Sequence, residues 1–279
     1  MNIKKYEECA HYLIKERNTK NVKLILREIW FRQKIFKKFE MPYLEMFITT
    51  KCNLKCKNCS NLIPDCTNSG HINKETLFKT LEKLLSNIDR LYRLKLHGGE
   101  VFLHPQFADI IEYAGKQKKI LSFRLTTNGT IIPGEDILDL IKRFNFIVQI
   151  SDYNATGVKT KELMRIFDAK NIRYVFFNEQ MWRDMGGFEL RQNNRRPFCA
   201  VSRCISLLDE KIYICSRAAM MDRQNIIKSE YVSIFQERKV FQKELIHLYN
   251  NLSNAACLHC DGDSEFAVKI PAGIQRGDE

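Results

Sequence analysis

Three cysteines stand close together in the run Cys52-Asn53-Leu54-Lys55-Cys56-Lys57-Asn58-Cys59, a C-x3-C-x2-C spacing. Three neighbouring thiolates can hold three irons of a [4Fe–4S] cube and leave the fourth iron without a protein ligand. An open iron can bind a small molecule, whereas a site with four thiolates is closed, so the ligand count points to chemistry rather than to a structural staple. Zinc, which favours four ligands and paired C-x2-C knuckles, is the alternative occupant of the same three residues.

More polar groups follow. Gly98-Gly99-Glu100 combines two glycines, which allow close backbone approach, with a carboxylate able to pair with an ammonium group. Thr126-Thr127-Asn128-Gly129 ends in a turn-forming Asn-Gly pair, and Ser151-Asp152 offers a hydroxyl and a carboxylate. Asp152 is equally suited to capping a helix. His97 and His104 flank the Gly-Gly-Glu run and read as structural. A second group of thiols, Cys199, Cys204, Cys215, Cys257 and Cys260, ends in the C-x2-C of Cys257-Leu258-His259-Cys260, while Cys9 and Cys66 have no partner by spacing.

These groups need a frame, and the hydrophobic pattern supplies one. Residues 1–40 read as helical, with Val22, Ile25, Ile29, Phe36 and Phe39 on one face and Pro42 ending the helix. Strand and helix patterns then alternate: strands over Tyr43–Thr49, Leu94–His97, Leu121–Thr127, Phe146–Ser151 and Ile172–Phe177, and helices over Lys74–Asn87, Phe107–Lys116, Glu135–Phe144 and Lys159–Lys170. Such alternation predicts an α/β fold with a parallel sheet or a β/α barrel. Right-handed crossovers bring all strand C-termini to one side, where each polar motif above is found. Asn178–Pro197 reads as an irregular linker, Ile205–Leu208 and Lys211–Ile214 as a hairpin around Asp209-Glu210, and Val232–Leu252 as a helix. The expected organisation is an N-terminal helical segment (1–42), a core barrel with linker (43–197) and a small C-terminal α+β domain (198–279).

Composition narrows the class. The chain has 279 residues, 44% hydrophobic and 28% charged, as a globular protein with a real core does. No apolar run approaches the roughly 18 residues of a membrane span, and the start lacks a secretory h-region, so a cytoplasmic protein without a membrane partner is expected. The 10 cysteines are clustered, which in a reducing compartment means metal ligands rather than disulfides. The formal charge of +12 favours an anionic partner. Basic residues interleaved with aromatics, the mark of an RNA-binding surface, are not evident, so a nucleic-acid partner is not expected.

The strand, the cysteine loop behind it, Gly98-Gly99-Glu100 and the following Leu103-His104-Pro105 together resemble the radical SAM superfamily over about residues 43–177. The resemblance implies a partial (β/α)6-type TIM barrel, S-adenosylmethionine (SAM) as cofactor, and a cluster on Cys52, Cys56 and Cys59 whose open iron SAM chelates. It implies that Gly98, Gly99 and Glu100 hold the SAM amino group, that Thr127 and Asn128 lie beside the SAM pocket, and that Ser151 and Asp152 meet the ribose. Two positions depart from the family pattern: Asn58 stands where an aromatic residue is frequent, and Val101 where proline is. The implied chemistry is one-electron cleavage of SAM to a 5′-deoxyadenosyl radical, which takes a hydrogen atom from substrate.

The later cysteines resemble the SPASM domain or its shorter twitch form. That resemblance implies one auxiliary [4Fe–4S] cluster on Cys199, Cys215, Cys257 and Cys260, with Cys204 as an alternative ligand and zinc as an alternative occupant. Glu210 stands where that pattern has glycine. The implied function is oxidation of a small polar, anionic substrate such as a sugar or nucleotide sugar, fed by a flavodoxin- or ferredoxin-type electron donor. Maturation of a peptide or protein is the alternative. Asp152 and Glu179 are the candidate catalytic bases, and Trp182, Arg183, Asp184 and Lys269–Gln275 are candidates to line the substrate pocket.

Overall fold

The computed structural model describes residues 27, 31–155, 157–191, 199, 204–250, 254–262 and 267–277. In chain order the elements are β1 (Glu40–Met41), β2 (Leu44–Thr49), α1 (Lys74–Asn87), β3 (Arg90–Leu91), β4 (Leu94–Gly98), α2 (Phe107–Gly115), β5 (Phe123–Thr127), α3 (Glu135–Arg143), β6 (Ile147–Asp152), α4 (Thr160–Lys170) and β7 (Tyr174–Asn178). There follow β8 (Met181–Arg183), β9 (Ser206–Leu208), β10 (Lys211–Tyr213), α5 (Ser216–Arg223), β11 (Val232–Ser233), α6 (Arg238–Asn250) and β12 (Lys269–Pro271).

Eight strands form one sheet in the order β11-β10-β9-β2-β4-β5-β6-β7. The run from β9 to β7 is parallel throughout, so the fold is a partial β/α barrel in which β9 adds a strand to the five expected from the sequence. β10 and β11 continue it antiparallel. The sheet therefore runs on across the expected division at residue 197.

Alternation along the strands decides what each face does. Leu44, Met46 and Ile48, Leu94 and Leu96, and Val148 and Ile150 belong to the buried apolar core. Their neighbours Glu45, Lys95, His97, Gln149 and Ser151 line a cavity on the other face. Helices cover the apolar face. α1 starts where the Asn73 side chain accepts hydrogen bonds from Glu75 N and Thr76 N, and it buries Leu77, Leu81, Leu84 and Leu85. α6 buries Phe241 and Leu245 and is tied to α1 by Gln242 Nε2, which donates to Asn87 O at 2.9 Å.

Several sequence expectations are corrected. Helical residues end at 36 and Pro42 follows a strand, so Pro42 does not end the helix; Phe36 is exposed although Phe39 is buried. Val22, Ile25 and Ile29 lie outside the described residues. The linker over Asn178–Pro197 contains β8, which pairs antiparallel with β12; residues 192–197 lie outside the described residues. The helix expected over Val232–Leu252 is a short strand followed by α6. The hairpin at Asp209-Glu210 forms as expected, with φ of 47° and 64° at the two turn residues. Among the described residues, no helix is long and apolar enough to cross a membrane.

Candidate functional site

β2 runs straight into the loop that carries Cys52, Cys56 and Cys59. Gly98 and Gly99, at the end of the neighbouring β4, hold that loop. A Cβ on Gly98, whose φ is 151°, would lie 1.9 Å from Thr49 O, and one on Gly99 would lie 2.1 Å from Lys51 O. Gly99 N and Glu100 N donate to Thr49 O and Lys51 O at 3.0 and 2.9 Å. The glycines thus permit close approach of the cysteine-loop backbone.

The three thiols are surrounded by donors. Leu54 N and Asn128 Nδ2 reach Cys52 Sγ at 3.4 and 3.6 Å, and Gln275 Nε2 reaches Cys56 Sγ at 3.2 Å. Burial pushes the Cys52 thiol up to about 12, and burial likewise raises Cys56 and Cys59. A metal ion reverses this balance, because it binds the thiolate and expels the proton. Three thiols on one loop, with sulfur-directed donors and a cavity at their side, fit the cube expected from the spacing. Cys66 is partly exposed and Cys9 lies outside the described residues.

Glu100 is fully buried, and its carboxylate turns away from the cavity. Oε1 accepts from Thr127 Oγ1 at 3.0 Å and from Phe102 N at 3.1 Å, while Oε2 accepts from Asn128 N at 2.7 Å. Burial raises its pKa to about 7, opposed by these bonds. Glu100 therefore ties the end of β5 to the end of β4. Asp152 does comparable work: Oδ1 accepts from Asn154 N and Oδ2 from Thr160 Oγ1, both at 2.8 Å. Neither Glu100 nor Asp152 lines the cavity, whereas Gly98, Gly99, Thr127, Asn128, Ser151 and Glu179 do. Of the two candidate bases only Glu179 faces it, with Oε2 accepting from Trp182 Nε1 at 3.1 Å.

The cavity has a volume of about 510 Å³ and extends from the three cysteines to Cys204. On its wall is a charged group that no sequence motif marks. Glu45 Oε1 accepts from Lys95 Nζ at 3.0 Å and from Tyr43 OH at 2.7 Å. Burial opposes the Glu45 charge, but Lys95 and the Tyr43 hydroxyl outweigh it and hold the carboxyl below its ordinary value. His97 Nε2 lies 3.6 Å from Glu45 Oε2 and has no hydrogen-bond partner. Burial holds His97 down to about 4, so at neutral pH it is uncharged and the contact is not an ion pair. His97 was expected to be structural; it lines the cavity. His104 is structural, with Nε2 against Ile72 O at 2.9 Å. The sequence signal is a charged residue inside each of two mainly apolar strands, Glu45 in β2 and Lys95 in β4; the structure pairs them in register.

Trp182 and Arg183 line the cavity, as expected of the linker, while Asp184 accepts from Asn58 Nδ2 at 3.1 Å. Neither Asp184 nor any residue of Lys269–Gln275 lines it.

The second thiol group also assembles. Cys215 caps α5, its sulfur accepting from Ala218 N at 3.4 Å. Burial, then the neighbouring Cys260, Cys257 and Cys199 thiols, hold Cys215 above the ordinary thiol range. Burial raises Cys260 to about 11, against the opposing charge of Arg217. Cys204 is buried and lines the cavity. Among the described residues, no three His, Cys, Asp or Glu side chains converge as a cage for one metal ion. Each thiol group is an open set of neighbours.

The fold and site define a class. The family model described as the radical SAM superfamily matches residues 46–165, the stretch that carries β2 to α4 and the first cysteine loop. That family implies SAM and a [4Fe–4S] cluster as cofactors. The chain is similar to the antilisterial bacteriocin subtilosin biosynthesis protein AlbA of Bacillus subtilis (strain 168), 34% identical over 117 residues, covering 40% of this chain and 25% of AlbA. It is also similar to the GTP 3′,8-cyclase of Clostridium perfringens (strain SM101 / Type A), 27% identical over 140 residues, covering 48% of this chain and 42% of the cyclase. These matches thus span a quarter to about two-fifths of the relatives' own lengths. Among solved structures, BtrN in complex with AdoMet and 2-DOIA shares the fold with a TM-score of 0.52 at 15% identity, covering 82% of this chain and 97% of BtrN.

Proposed function

We propose that this radical SAM enzyme is an oxidoreductase acting on a small, hydroxyl-bearing polar substrate, a sugar or nucleotide sugar. The observation that carries the reading is one cavity reaching from the three thiols to the Glu45, Lys95 and His97 side chains. Cys52, Cys56 and Cys59 would hold the first cluster. The Gly98-Gly99 backbone, Thr127, Asn128 and Ser151 would meet SAM, with Glu100 and Asp152 bracing the loops behind. Cys199, Cys215, Cys257 and Cys260 would hold an auxiliary [4Fe–4S] cluster.

When bound, the first cluster with SAM supplies a 5′-deoxyadenosyl radical, and the second supplies a one-electron acceptor. The chain's own residues do the rest. Lys95 and Gln149 orient substrate oxygens by hydrogen bonding. Glu179, the candidate base that lines the cavity, accepts the substrate hydroxyl proton; Asp152 has both carboxylate oxygens engaged elsewhere, and uncharged His97, with Nε2 unpartnered, offers a hydrogen bond to substrate. Tyr153 and Trp182, edge to face at 4.9 Å, help exclude water. The net charge of +12 suits a phosphorylated substrate and an acidic flavodoxin- or ferredoxin-type donor. AlbA's role in bacteriocin biosynthesis supports a second reading, action on a peptide.

Anaerobic reconstitution should yield about eight irons per chain, two cubes of four; about four would remove the auxiliary cluster. With dithionite and SAM the protein should release 5′-deoxyadenosine, and Cys56→Ala should abolish that release. Sugar nucleotides should stimulate SAM turnover. Stimulation by peptides alone would replace the first reading with the second.

A further inference from the structure

The C-terminal segment returns to the first cysteine loop. β12 pairs with β8, and Gly273, at φ 69°, turns the chain so closely against Tyr153 that a Cβ would meet Tyr153 Cβ at 2.4 Å. Residues 274–276 then run along the loop. Lys57 N donates to Ile274 O at 2.7 Å, and Arg276 N donates to Lys55 O at 2.9 Å. Arg276 also pairs with Asp65 at 2.6 Å. At the centre is Gln275. Its Oε1 accepts from Lys55 N at 2.6 Å, while its Nε2 donates to Gly273 O at 2.6 Å and to Cys56 Sγ at 3.2 Å. One amide thus anchors the loop backbone with its oxygen and meets a loop sulfur with its nitrogen, from 219 positions away in the chain.

We infer that Gln275 is a positioning residue for the first cluster: its amide N–H on the Cys56 sulfur raises the cluster's reduction potential, and its carbonyl holds the loop carrying that sulfur. The inference rests on reading Cys52, Cys56 and Cys59 as cluster ligands. Reduction adds one electron, from dithionite or a flavodoxin-type donor, to a cube in the 2+ state and gives the 1+ state, with no proton taken up. The reduced cube is the more negative, so an N–H donor on its sulfur stabilises it preferentially. The donor comes from the segment that follows Cys257 and Cys260, so the chain beyond one thiol group tunes the other.

The test is the midpoint potential of the cluster signal that responds to added SAM, followed by electron paramagnetic resonance in reconstituted full-length protein. Gln275→Glu keeps an acceptor for Lys55 N and loses the N–H donor; Gln275→Leu loses both. In Gln275→Glu the reduced-to-oxidised ratio at a fixed potential should fall at least tenfold, about 59 mV for one electron. Gln275→Leu should shift the same way and hold less iron. An unshifted potential in Gln275→Glu with the SAM-responsive signal intact overturns the inference alone. Failure of Gln275→Glu to hold iron also overturns it, because the Lys55 anchor remains. A wild-type protein with no SAM-responsive signal sinks the cysteine assignment and this inference together.

Discussion

Arg217 pulls the Cys59 thiol back toward its charged form, against the burial that pushes it up, and acts likewise on Cys260 in the second thiol group. The guanidinium is buried and bonded to the carbonyls of Gly186 and Gly187, and to Ser60 O at 3.5 Å. One cation therefore serves both sets of sulfurs and fastens the linker to the cysteine loop. Arg217→Met should lower iron retention at both sites and cost about 1–3 kcal/mol, since the carbonyls lose a buried donor. Iron analysis and urea unfolding check both effects. Arg217→Lys should rescue only partly, because a point charge cannot reach the same set of carbonyls.

His97 makes stability depend on pH. The folded chain keeps His97 uncharged down to about 4, whereas an unfolded histidine binds a proton below about 6.5. Between those values the unfolded state holds more protons, so stability falls as pH falls through that window, by up to about 3 kcal/mol. His97→Gln should flatten the decline in urea midpoint between pH 7 and pH 5. An equal decline in wild type and variant would assign the effect to other groups.

Gly99→Ala tests the contact between β4 and the cysteine loop. Its Cβ would meet Lys51 O at 2.1 Å and Lys51 C at 2.5 Å, both backbone atoms, so relief requires the loop itself to shift. Overpacking of this kind costs about 1–3 kcal/mol. The loop should be displaced, and iron incorporation at the first site should drop while the second site is retained.

Glu210 occupies a left-handed turn position, φ 64°, where a side chain is strained and glycine is not. Glu210→Gly should stabilise the protein by up to about 1 kcal/mol, read as a rise in thermal midpoint with iron content unchanged. Asp209 should be kept, because its carboxylate pairs with Arg223 Nη1 at 2.7 and 2.8 Å.

Much of the frame was legible in the sequence because each parallel strand ends in a polar motif and each helix carries an apolar stripe. What escaped has physical causes. Glu45 and Lys95 alternate with leucine and methionine, the pattern of a strand with one wet face; here that face lines an internal cavity. β8 and β12 are three residues each and 85 or more positions apart, too short for alternation to register and too distant for turn chemistry to signal. Glu100 and Asp152 were legible as polar strand ends. Their side-chain direction was not, because it depends on Thr127 and Asn128 at the end of β5 and on Thr160 at the start of α4. Gln275 had no motif, since its partner is a sulfur 219 positions away in the chain.

The parallel pairing of β9 onto β2 through Glu45↔Ser206 and Met46↔Leu207 has a kinetic corollary. β2 leads into the first thiols, and the β9–β10 hairpin leads into Cys215. On the proposed assignment of a cluster to each group, the gap an electron would cross between them is set in part by a hydrogen-bonded sheet. Under that assignment the hopping rate would be laid down at folding and would not depend on how tightly a substrate closes the cavity. Mutations that slow turnover by loosening substrate should leave inter-centre electron transfer untouched.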